Sequence, residues 1–116
     1  MATWNAGARI GDGVDLIGEE RIRQVTVEGW TPEHDDRHTE GDLCDAACAY
    51  AAAAQATYYD DHCVTFADIK SGKPPRSWPW EAVWWKPSDD PIRNLVKAGA
   101  LIAAEIDRLQ RRDAKR

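Results

Sequence analysis

The chain has 116 residues, a net charge of −5 and a pI near 5.1, which fits one domain with one core, small enough for self-association to add useful burial. That charge excludes a general nucleic-acid coat or a membrane-surface binder, since either needs a basic face. Three cysteines without a paired framework, no secretory leader and no run near the roughly 20 apolar residues of a bilayer span predict a reduced, cytoplasmic protein with no membrane partner.

Residues 1–13 are rich in glycine and alanine with no sustained period, and they read as an N-terminal arm that Trp4 can pin. The domain proper then runs over residues 14–116. From 14 to 28, Val14, Ile17, Ile22 and Val25 recur at near-helical spacing between charged residues, predicting a first helix that Gly29 stops. Thr31-Pro32-Glu33 is a helix start: threonine caps exposed amides, proline suits the first position and an acid complements the dipole. A short helical turn over 32–37 follows. Thr39 and Asp42 offer a second cap, and residues 43–56 form a second helix whose face Leu43, Ala47, Tyr50, Ala51 and Ala54 lets a neighbour approach closely.

Between 57 and 90 the helical signal fails, with prolines at 74, 75, 79 and 87. A loop this long must be tied down or build a site, and Trp78, Trp80, Trp84 and Trp85 supply the tie. Asp90 and Pro91 then open the strongest helix, to about 112, with the stripe Ile92, Leu95, Val96, Gly99, Ile102, Ala103, Ile106 and Leu109. The expected fold is all-α: two long helices, a shorter N-terminal helix, and a tryptophan-rich loop packed across them.

The densest chemistry lies in residues 28–42. On a helix, His34 and His38 share a face at the spacing of a transition-metal chelate, whereas Glu33, Asp36 and Glu40 would make an oxygen cage for magnesium or manganese. The plain alternative is an acid-rich helix start. The tryptophan loop adds flat apolar faces beside Lys73, Arg76 and Lys86, a pairing suited to nucleotides, although such residues also serve as core. Cys44 and Cys48 with His62-Cys63 can be drawn as a zinc site, but small buried thiols explain them equally well. No phosphate loop, serine elbow or dinucleotide fingerprint occurs.

Arg21-x-Arg23-Gln24, the run Glu28-Gly29-Trp30-Thr31-Pro32-Glu33-His34-Asp35-Asp36-x-His38, then Trp78-Pro79-Trp80, Trp85-Lys86-Pro87 and the segment from Leu95 to Ile102 resemble a family of small accessory proteins of tailed phages and prophages. The resemblance spans about residues 16–110 and implies a phage accessory role in the host cytoplasm, with no established active site. Cys44, Cys48 and the glycine-rich arm depart from the family pattern.

By analogy with small phage proteins that counter host defence, the leading expectation is a homo-oligomeric sponge. It would sequester a nucleotide-derived immune signal, a cyclic oligonucleotide or an ADP-ribose derivative, with no cofactor and no catalytic residue. Trp30 and one or two of Trp78, Trp80, Trp84 and Trp85 would sandwich the base, with Arg21, Arg23, Arg76 and Lys86 on phosphate. Glu33, His34, Asp36 and His38 would bond sugar and base edge. That places the strip 30–38 opposite the loop 76–86. Two other classes stay open: a phosphohydrolase with magnesium or manganese on Glu33, Asp36 and Glu40, with His34 or His38 as base, and an inhibitor that docks on a host protein through its aromatic loop.

Overall fold

The computed structural model describes residues 11–59 and 65–115, all helical or irregular with no strand among them. The expected arm therefore lies almost wholly outside the described residues, as do Trp4, His62 and Cys63. Among the described residues five helices run in chain order: α1 (Asp12–Thr26), α2 (Pro32–Asp35), α3 (Asp42–Ala56), α4 (Phe66–Ser71) and α5 (Pro91–Ala114), with a 3-10 turn at Ala82–Trp84 before the last. The expected all-α fold is the observed one.

Helix α1 begins two residues before the expected boundary and is as long as α3, 15 residues each. After it, Gly29 takes a left-handed φ of 77°, a conformation that costs glycine little. The Trp30 amide thereby folds back onto the Gln24 carbonyl at 2.9 Å. Helix α2 starts as its sequence foretells, with the Thr31 side chain accepting from the His34 amide. Helix α3 does not: its cap is Gly41 with no side-chain bond, so Thr39 plays no capping part.

The core forms where α3 packs on α5. Leu43, Ala46, Ala47, Ala49, Tyr50 and Ala53 of α3 meet Ala98, Leu101 and Ala104 of α5, and Trp78 and Trp85 join them from the loop. Alanine faces bring the two helices close but leave little volume to bury, and the indoles supply it.

Two expectations are corrected here. The 57–90 segment holds α4, opened by a capping box in which the Thr65 and Asp68 side chains each bond the other's backbone amide, and closed by Gly72 at φ 77°. The stripe read along α5 is also mostly not its core face. Ile92, Leu95, Ile102 and Ile106 are exposed, whereas Asn94, Ala98, Leu101, Glu105 and Arg108 are buried. The alanines win because α3 is itself an alanine surface, and small residues allow the closer approach. Buried Glu105 and Arg108 satisfy each other at 2.6 and 3.1 Å.

On another side of α5, α1 crosses with Ile17 over Gly99 and Glu20 pairing with Arg93 at 2.7 Å. Buried Asn94 clasps the loop end, accepting from the Ser88 amide at 2.8 Å and donating to its carbonyl at 2.7 Å.

Candidate ligand groove

Helix α2 and the tryptophan loop face each other. The Trp30 ring stacks on His34 with centroids 6.3 Å apart and planes within 6°. His34 meets His38 edge-on at 4.8 Å, and His38 packs 5.2 Å from Trp80. Trp80 lies 6.1 Å from Trp30 and 5.2 Å from the buried Trp78. Trp30, His34, His38 and Trp80, with Glu28, Pro79, Glu81 and Trp84, line an open groove of about 560 Å³, within the range of small-molecule sites.

Local structure orients the groove's polar groups. His38 Nδ1 stands 3.1 Å from the Asp42 carboxylate and His34 Nδ1 stands 3.3 Å from Asp35. A carboxylate accepts, so each Nδ1 carries the proton, and in a neutral ring Nε2 is left as an acceptor for a ligand. Glu28 and Glu81 add further acceptors. On the donor side, the Trp80 Nε1 is buried without a partner among the described residues.

A second, smaller space of about 40 Å³ adjoins the first, because Glu28, Trp30 and Trp84 line both. Its other walls are Glu20, Arg23, Gln24, Tyr50, Lys86 and Lys97. Gln24 is only 2 % exposed, and its Oε1 has no partner among the described residues. The Lys97 ammonium donates to the Lys86 carbonyl at 2.7 Å and sits over the Tyr50 ring; burial pushes its pKa down.

The site residues expected from sequence divide sharply. Trp30, His34, His38 and Trp80 come together in the groove as expected. Trp78 and Trp85 do not: at 7 % and 5 % exposure they are core, and Trp84, 56 % exposed, takes the wall position. Glu33 is exposed and lines neither space.

Asp36 is engaged by Arg111 at 2.8 Å; that hydrogen bond, with the positive charge behind it, holds its carboxyl below the usual range. The cations also differ from expectation. Arg21 is a strut, bonding buried Asp35 at 2.6 Å and the Trp30 carbonyl at 3.2 Å. Arg23 is tied to Glu20 and Glu28 and, with Lys86, faces the small chamber. Arg76 is exposed and lines neither space.

The oxygen cage fails on backbone grounds. Helix α2 stops at Asp35, so Glu33, Asp36 and Glu40 never share a helical face. Among the described residues no three His, Cys, Asp or Glu side chains gather in a way that could hold a metal ion. Cys44 and Cys48 are free and exposed rather than buried. No helix among the described residues is long and apolar enough to cross a membrane.

Sequence reasoning missed Glu81 and Lys97 as wall residues, whereas Gln24, beside Arg21 and Arg23 on the first helix, is a residue the sequence offers to a ligand. Gln24 had a visible signal, a polar residue on the helical face that Ile17 and Glu20 share. Compared with known proteins, the chain matches no family model, no curated protein and no solved structure.

Proposed function

We propose that this protein binds the nucleoside part of a nucleotide-derived small molecule in the groove between α2 and the tryptophan loop, and holds it without chemical change. The observation that carries this reading is the ring of Trp30, Trp80 and Trp84 around an acceptor-rich floor of His34, His38, Glu28 and Glu81. Aromatic walls favour a planar base, and the acceptors favour a ligand rich in N–H and O–H donors.

The charge distribution narrows the pose. With none of the expected cations lining the groove, and two carboxylates there, phosphates belong outside it. Lys86, with its ammonium 6.0 Å from the Trp84 ring centroid, is the cation suited to meet them. In the phage setting that the sequence resemblance implies, retention of such a ligand would act as an anti-defence sponge. Self-association would use the exposed α5 residues Ile92, Leu95, Ile102 and Ile106, which stand three, seven and four residues apart and so lie on one side of the helix.

The test is equilibrium dialysis of the purified protein against ADP-ribose, cyclic dinucleotides and nucleosides, followed by heat release and mass analysis. Intact ligand supports sequestration, and a cleaved product would replace it with catalysis. No binding to any of them would overturn the groove reading. The exposed Val83 and Trp84, at 68 % and 56 %, favour one second reading, docking of this turn on a host protein.

A further inference from the structure

The small chamber behind Trp30 and Trp84 has a chemistry of its own. Its most telling atom is the Gln24 side-chain oxygen, buried and without a partner among the described residues, because a buried acceptor left unpaired carries the desolvation cost of losing water. The amide cannot resolve this by flipping. Its Nε2 is directed to the Glu20 carboxylate at 3.4 Å, and a flip would turn the carbonyl oxygen onto that acceptor.

Glu20 is itself fully engaged by Arg23 and Arg93, and Lys97 already donates to the Lys86 carbonyl. Gln24 lines the chamber and its Oε1 is left as an unpaired acceptor among the described residues, with Glu28, whose Oε1 already accepts from Arg23 at 2.9 Å, as a second acceptor shared with the groove. At about 40 Å³ it holds one small group and no ring.

Resting on the groove reading above, we propose that this chamber receives the exocyclic amine of a purine base whose ring lies in the groove, making the site selective for aminopurines. The base would pass its amino edge between Trp30 and Trp84. The amine's two N–H groups would meet Gln24 Oε1 and the Glu28 carboxylate. A carbonyl in that position would face two acceptors, and a bare C–H would leave Gln24 unpaired.

The test uses two nucleoside pairs, each differing only by the amine: adenosine with purine riboside, and guanosine with inosine. Tryptophan-fluorescence titration of the full chain should give at least one pair in which the amino compound binds about tenfold tighter or more, the size expected for one buried hydrogen bond of about 1.4 kcal/mol. Gln24→Leu should collapse that ratio; if Gln24 serves only the fold, the variant loses stability and keeps the ratio, which overturns the proposal. If both pairs bind without discrimination, the chamber holds only a structural water, and the inference falls while the groove reading stands. If none of the four binds, both fall together.

Discussion

Ile17 sits directly over Gly99: a Cβ on Gly99 would lie 2.5 Å from Ile17 Cδ1 and 2.8 Å from its Cγ1. Alanine ordinarily gains about 1 kcal/mol over glycine inside a helix. Here overpacking of about 1–3 kcal/mol opposes it, and Ile17, stiff at its branched Cβ, cannot swing away freely. Gly99→Ala is therefore expected to destabilise the protein by about 1 kcal/mol in urea denaturation. Ile17→Ala in the same background should recover part of the loss, and a more stable Gly99→Ala protein would refute the close approach.

The Arg21–Asp35 pair makes a larger prediction. With side chains 14 % and 1 % exposed, removing one partner strands a buried charge, a loss of about 3–5 kcal/mol. Arg21→Ala should show that loss by chemical denaturation, and the paired change Arg21→Met with Asp35→Leu should be much milder. Equal losses would mean that shape rather than charge is what Arg21 provides.

Stability should fall at both ends of the pH scale. Burial pushes the Glu20 carboxyl up, but hydrogen bonds and charge from Arg23 and Arg93 outweigh it, and its pKa is lowered from 4.5. Its contribution is present above 4.5 and is lost as pH drops below that value; Glu20→Gln should flatten this acid limb.

Burial pushes the Tyr50 phenol up from 10.0 to about 12. Its share of stability is therefore intact below pH 10 and is lost as pH rises toward 12, a loss on the order of 2–3 kcal/mol. Tyr50→Phe should remove that alkaline limb, and phenolate absorbance should show one tyrosine titrating late.

The tryptophans should separate by role. Trp85→Ala should cost about 3–5 kcal/mol of stability, and exposed Trp84→Ala less than about 0.5. Trp80→Ala and His38→Ala should weaken ligand binding, with base stacking alone giving about 1–3 kcal/mol. Unchanged affinity in both would remove the groove as the site.

The exposed α5 face predicts concentration-dependent assembly. Ile102→Lys and Ile106→Glu should leave the isolated fold close to wild type in stability, since both residues are half exposed, and should shift sedimentation toward monomer. A wild-type protein that is monomeric at high concentration would dismiss this use of the face.

The legible parts of this fold were those decided locally. Thr31-Pro32 and Asp90-Pro91 mark helix starts whatever lies around them, and both cap as read. Helix α4 was equally local, since Thr65, Asp68 and Gly72 are its start and stop signals, but the surrounding prolines masked them.

The face of α5 was not decidable that way. Ile102 and Leu101 are adjacent and both apolar, and only the alanine surface of α3 selects Leu101 for the core. The same holds for Trp84 and Trp85: one lines the groove and one fills the core, because the 3-10 turn rotates successive side chains to different sides.

Trp78 and Trp85 bracket the groove wall with fixed points. Trp78 is buried and its Nε1 donates to the Glu81 carbonyl at 3.1 Å, while the Lys86 amide beyond Trp85 reaches the Tyr50 hydroxyl at 3.4 Å. The wall carrying Trp80 and Trp84 is thus ordered before any ligand arrives. For a ligand bound as proposed, little conformational entropy would remain to be lost, so its affinity would reflect the fit of a rigid slot, with differences among ligands falling mainly on the rate of escape.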